Sequence, residues 1–356
     1  HYSETLPIAD LGIPALAPFA NKETGAGGWL LIEAKWDLVD RGGDNQGSLE
    51  AALDWRHPLF DQATPFEMGL VSGSGWGTGA LYWEWDPSIT ALFWQQWIGR
   101  QTFELRIGKQ AAPTIFDFFR FKDARVSGMA DPLHADLGTV PAPPPGYGLS
   151  FKLWPFKRPS LRSLYVVGTV NDTNGDPTEL SPATLEKGQF FYGLEVGYHW
   201  KRKFPIDFDH DQLCVWYSDE RTDPYYVPSL LPNSSRWGFK VAGEKQCGRV
   251  VAFGKYAYNT VEGGGLGLAW AEQTATVGAA FVKPFDVKGE IGLSASWSHP
   301  LFELLQRDQY GVDLYWRLLM TPNLWVTPGV QLIWDPAINR SADFLAIPGI
   351  KLRWFF

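Results

Sequence analysis

The stretch FDFFRFKDARVSG (116–128) sets Phe116, Phe118, Phe119 and Phe121 among Asp117, Arg120, Lys122, Asp123 and Arg125. A mixture of this kind does non-covalent chemistry. A ring with hydroxyls on its rim and apolar C–H groups on its faces is held by paired charged or amide groups set beside aromatic side chains. A second stretch, GSGWGTGALYWEWDPS (73–88), has similar ingredients. Gly73, Gly75, Gly77 and Gly79 allow tight bends, and Trp76, Tyr82, Trp83 and Trp85 offer stacking faces. Asp117 and Arg120 in the first stretch and Trp76, Trp83 and Trp85 in the second are therefore candidate binding residues. The plain alternative for each aromatic residue is that it packs its loop onto the rest of the protein.

Covalent and metal chemistry find less support. No G-x-S-x-G nucleophile elbow occurs, and the six histidines are scattered. DFDHD (207–211) and DPLHAD (131–136) are short acidic runs whose plain reading is solvated charge. DTNGDPTE (172–179) places Asp172, Asn174 and Asp176 at the odd spacing of a calcium loop, but its sixth position is Pro177 rather than Gly and no Glu stands at the twelfth. Glu and Asp are plentiful enough for a hydrolytic carboxylate pair, and nothing singles one out. Cys214 and Cys247 lack any CxxC or Cys/His metal spacing. A disulfide between them is possible in an oxidising compartment, although the alternation described next puts them on opposite faces. No cofactor is expected.

The elements that must position these residues are strands. Segments such as WLLIEAKWDL (29–38), TFELRIGK (102–109), FFYGLEVGYHW (190–200) and QYGVDLYWRLL (309–319) alternate residue by residue. One parity carries Leu, Val, Phe, Tyr and Trp, and the other carries pairs such as Glu33 with Lys35, Glu104 with Arg106, or Asp313 with Arg317. The closing IPGIKLRWFF repeats the pattern down to Phe356. The chain has 18 Trp and 15% aromatic residues, yet its mean hydropathy is −0.17, as alternation requires. Its longest apolar runs are about four residues, far short of the ~20 that a membrane-spanning helix needs. The formal charge of −8 speaks against a nucleic-acid partner. The start at His1, with no visible signal peptide, reads as a processed or trimmed end.

Connections alternate in length. Short turns are read at 57–65, 99–101, 155–160, 201–207, 245–249, 283–289 and 320–323, with longer loops at 40–47, 73–88, 109–146, 172–188, 221–235, 259–272, 298–308 and 335–342. That scheme leaves 66–72 as a strand and totals sixteen. An even number of alternating strands, short turns on one side and long loops on the other is the pattern of an antiparallel transmembrane β-barrel. A barrel leaves no unpaired edge in hydrocarbon, and its aromatics gather where ring meets headgroup. The expectation is an all-β barrel over 29–356, preceded by a segment 1–28, with both termini on the short-turn side. Its long external loops, 109–146 above all, fold into the lumen.

The passage LRIGKQAAPTIFDFF (105–119) and the ending TPGVQLIWDP…DFLAIPGIKLRWFF (327–356) resemble the carbohydrate-selective porin family (OprB-type) of Gram-negative outer membranes. The resemblance implies passive, selective diffusion of small sugars, chiefly glucose and similar monosaccharides, into the periplasm. It implies small sugars, outer-membrane lipid and lipopolysaccharide as partners, and a monomer. A general non-specific porin and an outer-membrane barrel enzyme are the alternatives. Rings of side chains give pores their selectivity. The wall candidates on the early strands are Glu33, Lys35, Arg56, Glu67, Glu104, Arg106 and Lys109, facing the loop that carries Asp117 and Arg120.

Overall fold

The structure, a computed structural model, describes residues 23–60, 62–76, 78–79, 84–122, 127–135, 139–155, 164–200, 209–221, 235–260, 271–301 and 307–356. Most of the expected segment 1–28, Trp83, and the turns expected at 155–160 and 201–207 lie largely or wholly outside them. Fifteen strands follow one another: β1 (Gly27–Val39), β2 (Gly47–Pro58), β3 (Trp85–Ile98), β4 (Phe103–Gln110), β5 (Gly146–Leu153), β6 (Leu164–Asp172), β7 (Phe190–His199) and β8 (His210–Ser218). Then come β9 (Arg236–Cys247), β10 (Val250–Asn259), β11 (Ala271–Val282), β12 (Gly289–Pro300), β13 (Gln309–Thr321), β14 (Leu324–Trp334) and β15 (Phe344–Trp354). Each pairs antiparallel with the next in a single meander.

Fifteen, not sixteen, strands are described because 66–72 is not a strand. Pro65–Val71 form a helix, α1. Thr64 caps it and Glu67 reaches back to the Thr64 amide, a capping box with Pro at the first position. This single change moves two connections to the other end. The loop 40–46 now sits with the short turns, where Arg100 donates to Asp44 (2.8 Å) and the Trp97 amide to the Gln46 carbonyl (2.8 Å). The long β2–β3 connection sits with the long loops, and β1 starts from that end too, so the chain enters the sheet opposite to where it leaves. β1 and β15 consequently run the same way, and no ladder joins them among the described residues.

The sheet curls. Thr78 donates to Gln331 on β14 (2.5 Å), seven residues before β3 begins. Seven residues span at most about 25 Å, whereas a flat sheet would hold β14 about 53 Å from β3 at ~4.8 Å per strand. Curvature gives an inner and an outer face, and their chemistry is the reverse of a water-soluble protein. Along β7, Glu195 and His199 are buried while Tyr192, Leu194, Val196 and Tyr198 are exposed. The same holds for Lys240 against Val241 and for Asp313 against Leu314. Aromatics crowd the two ends of the outer face. Tyr192–Tyr217, Trp237–Tyr258 and Trp334–Phe344 lie at the long-loop end, and Tyr198–Trp200 and Trp354–Phe356 at the other. Water would expel such a surface and hydrocarbon accepts it. No described helix is long and apolar enough to cross a membrane.

The corrected orientation is testable. In a Cys247→Ser background, Ser181→Cys and Arg340→Cys are expected to react on intact cells with an impermeant maleimide. Gly43→Cys and Lys288→Cys are expected to stay protected. Labelling at Gly43→Cys alongside the first pair would restore the sequence-based placement of 40–47.

Candidate constriction site

The connection between β4 and β5 leaves the rim and runs across the inner face. Three of its phenylalanines are anchors. Phe116 meets Phe191 edge-on at 5.9 Å, and Phe119 and Phe121 close on Phe253 at 5.7 and 4.5 Å. Wall and loop are cut to fit each other: a Cβ on Gly193 of β7 would stand 3.0 Å from the Phe116 ring, and one on Gly128 of the loop 2.0 Å from Tyr315 on β13. Phe118 alone of the four is exposed.

Polar bolts alternate with these rings. Asp117, in the left-handed region at φ +60°, is buried and takes Lys122 at 2.5 Å, Gln212 at 2.8 Å and the buried Lys240. Its amide donates to Glu195 (2.5 Å), which also accepts from the Tyr165 hydroxyl. Arg120 reaches Glu290 on β12 (3.2 Å), and Glu290 is shared with Arg317 (2.8 Å) and Tyr315 (2.5 Å). Further along, the Ala130 and Asp131 amides donate to Asp313, Lys255 donates to the Leu133 and His134 carbonyls, and Lys351 on β15 donates to the Met129 carbonyl (2.6 Å). Burial pushes the Asp131 carboxyl above the usual carboxylate range, against the Ser296 hydroxyl that donates to it.

Across from this loop, the inner face of β1–β4 carries a chain of charges. Lys35 donates to Glu50 (2.7 Å) and Gln95 (2.6 Å), Gln95 to Glu104 (2.6 Å), and Arg106 to Glu104 (2.6 Å), with Arg106 over the Phe93 ring at 5.4 Å. Arg106 also meets Thr114 at the root of the crossing loop (3.4 Å). Fractional exposures of 43% for the Lys35 side chain and 15% for Arg106 leave their heads open to the interior.

No protein-family model matches the sequence, and no curated protein does. Solved structures do match. The high-pH structure of OprB from Pseudomonas putida has TM-score 0.66 at 14% identity, covering 94% of this chain and 90% of that one. Its low-pH structure has TM-score 0.52 at 12% identity, covering 92% and 84%. OmpF from Salmonella typhi, in complex with daunomycin, has TM-score 0.54 at 11% identity, covering 92% and 90%. This is the porin fold. The fold is the one the sequence led us to expect, and its apolar outer face suits it to a lipid bilayer.

Within the porin fold the expected site residues part company. Lys35, Glu104 and Arg106 are brought together, with Glu33 exposed on the same face of β1. Arg120 stays with the loop and pairs with Glu290 on β12, while Asp117 is consumed in fastening that loop. Arg56 and Trp85 form a separate unit toward the long-loop end: the Arg56 guanidinium lies between Trp29 (4.1 Å) and Trp85 (4.5 Å) and bonds Asp54 twice. Six residues along β1, about 20 Å, separate that unit from Lys35. Trp76 is buried with its indole N–H on Ser298 (2.5 Å), so its ring packs a loop, and Glu67 caps α1 rather than lining the wall.

Lys109 is the clearest correction. It stands on the outer parity, paired with Tyr147, and donates to the carbonyls of Asp176 (2.7 Å), Pro177 (3.1 Å) and Glu179, clasping the β6–β7 loop against the outside of the rim. That loop also contains the calcium candidates, and their carboxylates close local turns: Asp172 accepts from the Asn174 amide (2.9 Å) and Asp176 from Thr178 (2.8 Å). Among the described residues no three acidic, His or Cys side chains gather as a metal site. Cys214 and Cys247 are both free, on opposite faces. Gln95, Glu195, Lys240 and Glu290 complete the site and were missed. Their inner-face parity was visible, but not that Gln95 would join Lys35 to Glu104, or that a loop residue up to 170 positions away would bond to the other three.

Proposed function

We propose that the protein is an outer-membrane porin for passive, selective diffusion of small carbohydrates, glucose and similar monosaccharides, into the periplasm. It would work as a monomer in contact with outer-membrane lipid and lipopolysaccharide, and without a cofactor. The sheet would close around the lumen. Because β1 and β15 run the same way, antiparallel closure takes one further strand, sixteen in all. The supporting observation is the pairing of opposite charges on the inner face: Lys35 with Glu50 and Arg106 with Glu104 on β1–β4, and Arg120 of the crossing loop and Arg317 with Glu290 on β12–β13. Paired charges offer donors and acceptors to hydroxyls without a net field that favours ions.

Single-channel recording in planar bilayers tests this. Glucose is expected to block the ion current saturably, and Arg106→Ala to weaken that block while enlarging the current. A charge-assisted hydrogen bond contributes about 1.5–3 kcal/mol. Water recovers part of that in a lumen, so about a tenfold loss of affinity is the upper expectation. Arg100→Ala, at an exposed turn, is the control; Arg317, which shares Glu290 with the loop, is not suitable. Glucose block that survives Arg106→Ala unchanged would place the filter elsewhere. A broad porin without a sugar site is the second reading, favoured by the burial of Trp76 and by Arg56 filling the space between Trp29 and Trp85. It predicts no saturable block in the wild type.

A further inference from the structure

We propose that the long-loop end of the inner face, on β8–β10, carries a second solute site, centred on Arg236, that takes a small polyhydroxylated acid by its carboxylate. Other buried cations show what the exception is. Arg56 has Asp54, Lys240 has Asp117 and Lys255 has two carbonyls. Arg236 is just as buried, at 1% exposure, yet Nε, Nη1 and Nη2 find no acceptor among the described residues. A desolvated, unpaired charge is strongly unfavourable, and an incoming anion relieves it.

Its neighbours are short of partners in a complementary way. Ser218 stands opposite Arg236 in the ladder, Trp216 opposite Gly238, and Gly238 opposite Asn259. The Asn259 amide is buried with both its nitrogen and its oxygen unpaired, and so is the Trp216 indole N–H. Gly238 lets the Trp216 ring lie flat beneath, since a Cβ there would meet it at 2.4 Å. A guanidinium fork matches the two oxygens of a carboxylate. An amide that can both donate and accept matches a neighbouring hydroxyl. A neutral sugar would satisfy the amide and leave the cation uncompensated, whereas a sugar acid answers both.

The site rests on the pore reading for its access to solute but not for its binding, so the test separates the two. Protein folded in detergent is titrated with gluconate, glucose and glucose 6-phosphate while tryptophan fluorescence is followed, Trp216 being the reporter. Gluconate is expected to bind about tenfold tighter than glucose, the equivalent of one charge-assisted hydrogen bond. Arg236→Gln should abolish the difference and Arg236→Lys retain part of it, with glucose block in bilayers unchanged in both. Equal affinity for gluconate and glucose in the wild type, or a preference that survives Arg236→Gln, overturns the site. Tighter binding of glucose 6-phosphate than of gluconate overturns the carboxylate assignment. If Arg236→Gln does not fold, the wild type and Arg236→Lys decide. A protein that shows the fluorescence difference but conducts nothing would retain this site and lose the pore.

Discussion

Asp117→Asn is expected to convert a steady channel into one that flickers to a larger conductance. The carboxylate holds Lys122 and the buried Lys240 together and receives Gln212. Asparagine keeps the shape and removes the charge that faces Lys240 and Lys122. Breaking a buried pair from one side costs about 3–5 kcal/mol. Some of that is recovered by water in a pore, yet a loop docked by several such bolts loses a large part of its hold. Phe116, Phe119 and Phe121 remain, so the loop should detach intermittently rather than permanently. Asp343→Asn, on the exposed β14–β15 connection, should leave the traces unchanged. Recordings of Asp117→Asn that match the wild type would mean that the aromatic anchors hold the loop alone.

The outer face gives the second large effect. Ile350, Leu352 and Phe356 lie on it at 67%, 68% and 86% exposure, and they descend from the middle of β15 to its end. A lysine on the lipid side costs about 2–4 kcal/mol at the midplane and close to nothing at the interface. The yield of heat-modifiable, membrane-inserted protein should therefore fall most for Ile350→Lys, less for Leu352→Lys and least for Phe356→Lys on this energetic ground. Lys351, between them, faces inward and is already a cation. Wild-type yield from Ile350→Lys would refute the assignment of faces.

Strand parity was legible from the sequence because it is local: alternation declares a face whatever lies across from it. The error at 66–72 was also local, and the signal against it was present. Thr64-Pro65-Phe66-Glu67 spells a capped helix start, whereas the spacing of turns by itself fits a strand there equally well. Lys109 went astray differently. Its parity with Ile107 pointed outward, and only its nearness in sequence to the long loop suggested the constriction. What parity cannot supply is the partner. Nothing in FDFFRF says that Phe116 has a glycine waiting on β7, or that Asp117 will be locked by Lys240. Those matches depend on how tightly the sheet curls. Of the tryptophans suited to stack on a sugar, Trp76 packs its own loop and Trp85 lies against Arg56.

One consequence of the loop's anchoring concerns the order of assembly. Every strand ladder joins sequence neighbours, so pairing can proceed as the chain arrives, with short closures throughout. The crossing loop does not share that economy. Ala130 waits for Asp313, 183 residues on, and Met129 for Lys351, 222 residues on. Until β12 and β13 are in place, the far half of the loop rests on Lys255 of β10, and its last fastening waits for β15. An incompletely assembled barrel would thus be a wider hole than the finished one. The last fastening of the crossing loop and the C-terminal aromatic foot arrive in the same step, so a mechanism that admits only chains with an intact last strand would also screen out chains whose loop is incompletely tied down.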